Sequence, residues 1–268
     1  MANSINTNAG ALIALQNLNK TNAALETTQN RINTGQKVSS AKDNGAIFAI
    51  ATTQRANLGA MDAVKNSLQR GQSIVDVALA AGDTATSALE EMKALAVNIA
   101  SSTGDAQTAY LADYNALGKE VASALSGASF DGANLWTTAA VTNLTTNTTG
   151  GTYAIGFAAA PSADATLTAV NTGAITAANA TVANVDAAIK TVTTSLATLG
   201  TQSKSVGRQM TFVNKLQDAT EAGIGNLVDA DLAKESAKLT ALQTKQQLGV
   251  QALSIANSSS SILMSLFR

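Results

Sequence analysis

The carboxylates are the side chains of this chain that could do chemistry, and their densest cluster lies late in the sequence. Asp229-Ala230-Asp231 is followed by Glu235, and carboxylate oxygens are ligands that Ca²⁺ prefers. The spacing lacks the further oxygen ligands and the glycine of an EF-hand loop. Acidic residues just before a helix cap its first amides and interact favourably with its positive end. We therefore interpret the cluster as a helix N-terminus, and Glu90-Glu91 as a solvated helix face.

The residue inventory excludes most other catalytic chemistry. The 268-residue chain has no His and no Cys, which excludes histidine base catalysis, thiolate nucleophiles and nearly all zinc sites. Ser258 to Ser261 offer hydroxyls with no base beside them, and Gly223-Ile224-Gly225 lacks the third glycine and the lysine of a phosphate-binding loop. We predict that the protein is not an enzyme and holds no cofactor and no metal.

Charge and hydropathy narrow the class of protein further. The chain has 17 Lys and Arg against 18 Asp and Glu, a net charge of −1. Nucleic-acid binding needs an excess of cations, so we predict no nucleic-acid partner. No apolar run reaches the roughly 18–20 residues that span a bilayer, so we predict no membrane insertion. The first eight residues have neither the basic nor the apolar region of a secretory signal, so we expect no cleaved signal peptide.

A heptad seam predicts one long helix in the last third of the chain. Apolar residues recur at alternating intervals of three and four, which is typical of a helix packed lengthwise on a partner. The seam spans Val182 to Ile224, ~65 Å of helix, whereas a globule of this length has a diameter near ~50 Å. We therefore predict a rod. The seam consists of Val182, Val185, Ile189, Val192, Leu196, Leu199, Val206, Met210, Val213 and Ile224.

A second long helix is predicted from Asp43 to about Ser101, and a shorter one ends at Gly127. The second helix has two heptad lines in which small residues recur, which lets helix axes approach closely. One line is Met61, Leu68, Val75, Gly82, Leu89 and Ala96, and the other is Val64, Gly71, Ala78, Ala85, Met92 and Ile99.

The middle of the chain has a different composition. Asp164 is the only charged residue between Asp131 and Asp186, and Thr, Ala, Gly and Asn dominate there. Alternating apolar residues at 153–157, preceded by Gly150-Gly151, predict a short strand or hairpin. The predicted fold class is thus mainly α: an elongated antiparallel coiled-coil rod of long helices, with paired terminal helices and a small β-hairpin region in the middle.

Apolar stripes occupy the helices predicted at both ends of the chain. The last helix carries two such lines, more than one neighbour can cover, and each large side chain left in water forgoes ~1.5–3 kcal/mol. We therefore predict that the terminal helices form a subunit interface. Its residues are Ile5, Leu12, Leu15, Leu18, Leu25, Ile32, Leu232, Leu239, Leu248, Leu253, Ile255, Ile262, Leu263, Leu266 and Phe267.

Motifs at both ends resemble those of one family. They are Ile5–Asn8, Arg31–Gly35, Ser40–Ala46, Phe130–Gly132 with Leu135, Asp229–Asp231, Leu242-Gln243, Gln246–Gly249, and Ile262-Leu263 through Leu266-Phe267-Arg268. On these motifs the chain resembles a bacterial flagellin, most of all the short flagellins of alphaproteobacteria. The resemblance covers roughly residues 1–136 and 180–268.

This resemblance implies a domain division and a structural function. Residues 1–42 and 229–268 would form an inner terminal helical domain, 43–136 and 180–228 an outer helical-rod domain, and 137–179 a short variable insertion. The protein would be a subunit of the extracellular flagellar filament, exported unfolded and polymerised helically through its terminal helices for swimming motility. A hook–filament junction protein and an intracellular coiled-coil scaffold remain alternatives.

The resemblance also implies partners. These are other flagellin subunits, the flagellar export apparatus with a secretion chaperone, and the filament cap and hook-junction proteins. Many flagellins carry an Arg in the stretch that the animal innate receptor for flagellin recognises. In the matching run Glu91 stands at that place, four residues before Leu95. A charge reversal in a recognition patch usually weakens binding, so we predict poor recognition by this receptor.

Overall fold

The computed structural model describes the backbone of residues 8–139 and 141–265, with side chains up to residue 258. Within these ranges the chain forms six α-helices, one two-stranded antiparallel sheet and a 3₁₀ turn at Pro161–Ala163. In chain order the elements are α1 (Ala9–Thr34), α2 (Gly45–Ser101), α3 (Asp105–Gly127), β1 (Thr142–Thr145), β2 (Thr152–Ile155), α4 (Ala165–Asn171), α5 (Val182–Val228) and α6 (Leu232–Ser265).

The chain divides into two compact units. The terminal unit joins the N-terminal part up to Ala56 with the C-terminal part from Ala219, and the central unit is Asn57–Asp218. These boundaries lie inside α2 and α5, whereas the predicted division at residues 42 and 229 follows the loops between helices. The three-part division into inner, outer and variable segments stays a prediction.

In the central unit α2 and α5 pack side by side in opposite directions. Gln72 Nε2 donates to Ser203 Oγ at 2.8 Å, and Lys93 Nζ lies 2.7 Å from Asp186 Oδ1. Gln217 Nε2 donates to Asp62 Oδ1 at 2.9 Å. The residue number on α5 falls as that on α2 rises, so the helices are antiparallel, as predicted.

The heptad seams of both helices form the core of the central unit. All twelve positions of the two α2 lines are buried, including Gly71 and Gly82. On α5 alternate seam residues are fully buried and those between them are half-buried. The buried seam residues of α5 in this unit are Val185, Val192, Leu199, Val206 and Val213.

The segment after α3 is anchored to this core by Trp136 and Asn134. The Trp136 side chain is fully buried, and its Nε1 donates to the Ala78 carbonyl at 2.8 Å. Asn134 Nδ2 donates to the Leu125 carbonyl at 3.0 Å, while its Oδ1 accepts from the Trp136 amide at 2.8 Å. Both polar groups of the buried amide are therefore satisfied, as burial requires.

The middle segment contains the predicted hairpin and a helix that the sequence analysis missed. β1 and β2 pair antiparallel, with Leu144 opposite Tyr153. The seven-residue α4 is capped by Asp164, whose side chain accepts from the Thr166 amide at 2.9 Å. Asp164 is the one charged residue of this stretch. Asp is a favoured N-cap residue, but one cap without an apolar period does not predict a helix.

Helix boundaries fall where turn chemistry predicts them. Asn44 Oδ1 accepts from the Ala46 and Ile47 amides, both at 3.1 Å, and α2 begins directly after it. α2 ends at Ser101 and α3 ends at Gly127, in agreement with the sequence analysis. The predicted fold class, mainly α with long helices, paired terminal helices and a small β-hairpin, is confirmed.

Candidate assembly surface

In the terminal unit α1 and α6 form an antiparallel pair. Asn8 Nδ2 donates to the Ala256 carbonyl at 2.7 Å near one end, and Gln246 Nε2 donates to Asn22 Oδ1 at 2.9 Å further along. Near the other end Arg31 Nη1 lies 3.1 Å from Glu235 Oε1. The first and last described helices are therefore joined along their length.

The seam between the two helices is narrow and contains small and polar residues. Leu18 lies against Gly249, whose added Cβ would meet Leu18 Cδ1 at 3.3 Å. Thr28 is the one fully buried residue of α1. Along α6 the half-buried positions follow heptad spacing. They are Glu235, Leu239, Leu242, Gln246, Gly249, Leu253 and Ala256.

An ion pair lies at the loop end of this seam. The Glu235 side chain is only 12% exposed, and besides Arg31 it has Lys238 Nζ at 3.8 Å from its second oxygen. Asp231 Oδ1 accepts from the Lys234 amide at 3.1 Å and so caps α6. The interpretation of the late carboxylates as a helix N-terminus is confirmed. Among the described residues no three acidic side chains form a group that could hold a metal ion.

The loops that leave α1 and enter α6 are held together by backbone bonds. Gln36 and Asp229 form an isolated antiparallel bridge, the Ala230 amide donates to the Gly35 carbonyl at 2.9 Å, and the Lys37 amide donates to the Val228 carbonyl at 2.7 Å. Gly35 has φ +69°, a conformation that glycine adopts without strain. This glycine therefore ends α1 and turns the chain into the bridge.

Asp43 organises the loop between α1 and α2. Its Oδ2 accepts from the amides of Ser40 at 3.0 Å and Ser39 at 3.1 Å, and from both hydroxyls. Hydrogen bonds to the charged form favour it, so the Ser40 and Ser39 amides lower the pKa of the Asp43 carboxyl. The Ser40–Ala46 motif thus encodes a self-contained turn before α2.

The structure separates the predicted interface residues into two sets. Five of them have partial cover within their own chain, because they are half-buried on α1 or α6: Leu18, Leu25, Ile32, Leu239 and Leu253. Five others are exposed: Leu12, Leu15, Leu232, Leu248 and Ile255. From the sequence, every one was expected to need cover from another copy. The first set differs because α1 and α6 cover it mutually.

The exposed set is concentrated on the second apolar line of α6 and near the start of α1. Leu248 is 58% exposed, Ile255 is 71% exposed, and Leu12 is 58% exposed. Ile13 and Val250 are equally exposed and were not predicted, because each lies one or two positions away from a heptad line. Predicted residues Ile5, Leu266 and Phe267, and the side chains of Ile262 and Leu263, lie outside the described part.

The predicted receptor patch lies in the central unit. Glu91 is exposed and Leu95 is half-buried on α2. Both line an open groove of about 470 Å³, with Asp113 and Leu117 of α3 on the other side. In the part of the chain that is described, no helix is long and apolar enough to cross a membrane.

Comparison with known proteins identifies the family. The chain matches the bacterial flagellin N-terminal helical region over residues 5–140 and the bacterial flagellin C-terminal helical region over residues 182–267. Flagellins FljM and FljK of Caulobacter vibrioides are each 53% identical over 271 residues, covering 99% of both sequences. A flagellin of Brucella melitensis is 37% identical over 280 residues, again 99% of both. The chain belongs to the bacterial flagellins.

Membership of this family defines the class of function. The protein is a structural subunit of the bacterial flagellar filament and polymerises with other flagellin subunits. Its similarity to alphaproteobacterial flagellins is confirmed. A hook–filament junction protein and an intracellular scaffold are not favoured.

Proposed function

We propose that copies of this flagellin join through the apolar residues that the α1–α6 pair leaves exposed. The observation that carries the proposal is the unequal burial of the two apolar lines of α6. On one line Leu239 and Leu253 lie half-buried towards α1, and only Leu232 at the start of the helix is exposed. On the other line both described residues, Leu248 and Ile255, are exposed. Each large apolar side chain that a neighbouring copy covers contributes ~1.5–3 kcal/mol to association.

Assembly through this surface is heterologous. The exposed face of one copy meets a different face of the next, and a non-closing rotation between them makes an open helix instead of a ring. Extracellular filaments built in this way propel the swimming cell. The predicted interface residues Ile5, Leu266 and Phe267 lie outside the described part of the chain, and their place in the interface stays a prediction.

The route to the filament follows from the same features. The chain is exported unfolded, and it has no cysteine to form a disulfide that would block threading. The α1–α6 seam has Thr28 and Gly249 at positions where large apolar side chains would bury more area, so it is readily opened. A secretion chaperone covers the exposed stripe before export, and the cap and hook-junction proteins contact it at the ends of the filament.

The protein has no catalytic role in this account, and the innate receptor binds it weakly. Glu91 places a carboxylate where many flagellins carry a guanidinium. Reversal of a charge in a recognition patch removes an attraction and adds a repulsion. A nanomolar response of receptor-reporter cells to the purified protein would contradict this part of the proposal.

A substitution on the exposed line of α6 tests the assembly surface. We expect Leu248→Ser to raise the soluble concentration that remains beside filaments by about tenfold to a hundredfold, the equivalent of one buried Leu side chain. Filament growth from sheared seeds, followed by measurement of the unsedimented protein, gives this concentration.

The matched control is Gln247→Ser, which changes an exposed polar residue one position away. We expect this variant to polymerise as the unaltered protein does, and both variants to give the same helical circular dichroism. If Leu248→Ser leaves the soluble concentration unchanged, the stripe is not the surface through which copies join.

A further inference from the structure

The peptide bond between Asn44 and Gly45 lies where the loop after α1 enters α2, and it is open to solvent. Both residues are exposed, and a Cβ added to Gly45 would meet no atom within 4 Å. This is the only asparagine–glycine pair in the sequence. Because glycine has no side chain to hinder its backbone nitrogen, an asparagine before it closes a ring with that nitrogen most readily.

The cap of α2 polarises the side-chain carbonyl of Asn44. Its Oδ1 accepts from the Ala46 and Ile47 amides, both at 3.1 Å. Two amide donors on one carbonyl oxygen draw electrons from Cγ, and they stabilise the negative charge that develops on the oxygen when a nucleophile adds. The hydrogen bonds that cap the helix therefore also make Cγ more open to attack.

The backbone nitrogen of Gly45 can attack without disturbing the helix. It belongs to the first residue of α2, and the first amides of a helix have no carbonyl partner within that helix. The Asn44 carbonyl accepts from the Phe48 amide at 2.9 Å, and ring closure leaves this oxygen in place. Ring closure at this bond therefore breaks no backbone hydrogen bond of α2.

We infer that Asn44 is a modification site, at which the side chain loses ammonia without an enzyme. The Gly45 nitrogen forms a bond to Asn44 Cγ, and its proton passes through water to Nδ2. The Cγ–Nδ2 bond then breaks as ammonia leaves, and water opens the resulting five-membered imide at either of its two carbonyl carbons. One water is consumed and one ammonia released, and residue 44 becomes aspartate or isoaspartate.

The two products have opposite effects on α2. An aspartate keeps the oxygen that caps the helix and adds a negative charge at the positive end of the helix, which is favourable. In isoaspartate the chain runs through Cβ and Cγ, so one atom is added to the backbone and the free carboxylate moves to Cα. We therefore expect ageing protein to contain one form with a stronger start of α2 and one with a weaker start.

Asn66 shows that the position in the fold matters as well as the sequence. This asparagine is also exposed and also precedes a small residue, Ser67. Both lie inside α2, where the Ser67 amide donates to a carbonyl of the preceding turn. Ring closure at Asn66 would break this bond, so we expect α2 to protect Asn66 as long as the helix is folded.

Mass spectrometry of peptides from the full-length protein, aged in dilute buffer at pH 8, tests the inference. The peptide with Asn44 should change from the mass of the amide to that of the acid, and the peptide with Asn66 should not. An isoaspartyl methyltransferase should label the Asn44 peptide alone.

Two glycine variants separate ring closure at Asn44 from general ageing. Gly45→Ala should change mass about tenfold more slowly, because the added Cβ crowds the closing ring and raises the barrier. Gly59→Ala, on the same helix and with equally open surroundings, is the matched control and should age as the unaltered protein does. Both variants should give the same helical circular dichroism as the unaltered protein.

A mass change confined to Asn44, slowed in Gly45→Ala and not in Gly59→Ala, supports the inference. An unchanged Asn44 peptide, equal rates at Asn44 and Asn66, or a Gly45→Ala variant that ages at the normal rate overturns it. In urea that unfolds α2, Asn66 should be modified as well, and an Asn66 that stays unmodified there would contradict the protective role of the helix. None of these results bears on the assembly surface, which Leu248→Ser tests separately.

Discussion

Two glycines on α2 set how closely its neighbours pack in the central unit. A Cβ at Gly82 would lie 2.7 Å from Trp136 Cζ2 and 2.5 Å from Leu196 Cδ2, and a Cβ at Gly71 would overlap the Leu144 side chain. Because glycine has no Cβ, each of these positions leaves a notch in the helix surface, into which a large side chain of a neighbouring element packs. At the scale of single residues, the fit of these notches outweighs the lower helix propensity of glycine.

Substitution of Gly82 tests the notch. We expect Gly82→Ala to destabilise the protein by about 1–3 kcal/mol, because the rigid indole has no space to retreat. Gly59→Ala on the same helix has open space around its Cβ and should stabilise by up to about 1 kcal/mol. Urea unfolding followed by circular dichroism measures both. A stabilised Gly82→Ala variant would show that the seam is looser than described.

Tyr114 is a buried residue whose hydroxyl lacks a hydrogen-bond partner within the described part of the chain. An unsatisfied buried polar group opposes folding, so we expect Tyr114→Phe to stabilise by up to about 1 kcal/mol. Burial also raises the pKa of Tyr114 to about 12, because the phenolate is desolvated. Ionisation of Tyr114 therefore does not affect the free energy of unfolding below the ordinary pKa of 10. As pH rises from there through about 12, the unfolded state loses this proton first, and the free energy of unfolding falls.

Unfolding at alkaline pH separates the loss of stability caused by Tyr114 from the loss caused by all other groups. Urea titrations at pH 8 and pH 11 should show a smaller loss of stability in Tyr114→Phe than in the unaltered protein. Tyr110→Phe, on the exposed face of α3, should lose as much as the unaltered protein. Equal losses in all three proteins would contradict the assignment.

At the scale of elements, side-chain amides hold the middle segment to the helices. Gln202 Nε2 donates to the Gly156 carbonyl at 2.9 Å, and its Oε1 accepts from the Gly156 amide at 2.9 Å. Asn115 makes the same two-way contact with the backbone of Ile175, at 3.0 and 2.7 Å. Each carboxamide makes the pair of hydrogen bonds that a neighbouring strand would make with this backbone. These bonds hold a segment that has few large apolar side chains.

Replacement of one donor by an acceptor tests this attachment. In Gln202→Glu the carboxylate still accepts from the Gly156 amide but faces the Gly156 carbonyl without a proton to donate. We expect faster protease cleavage at residues 150–160 and a loss of about 1–3 kcal/mol. Gln243→Glu, an exposed residue of α6, is the control and should change neither. Unchanged cleavage in Gln202→Glu would mean that the hairpin is held by apolar contacts such as Leu144 alone.

The long helices could be predicted from the sequence, and the terminal seam and α4 could not. Val192 and Leu199 recur at heptad spacing because one continuous partner covers them, so the pattern records the packing. Within the terminal pair, Thr28 and Gly249 occupy buried or half-buried positions that no hydropathy pattern identifies. The short α4 depends on a single cap at Asp164, too little signal in a Thr- and Ala-rich stretch.

For the whole molecule, the cover that α1 gives to one apolar line of α6 decides which predicted interface residues are left to act between copies. Heptad spacing identifies apolar lines on α6 but does not tell which line an internal partner covers. That choice depends on the position of α1, which backbone bonds such as Ala230 to Gly35 fix at the loop end. Leu253 is therefore partly covered within the chain, and Leu248 is left for a neighbour.

In the proposed filament, the terminal helix pair buries its exposed apolar residues against other copies. Hydrogen exchange followed by mass spectrometry, on dilute monomer and on filaments of the same protein, measures this most directly. We predict rapid exchange of the α1 and α6 amides in monomer and strong protection in filaments, with much smaller changes in residues 61–99 of α2. Equal protection of α1 and α6 in both states would contradict the account.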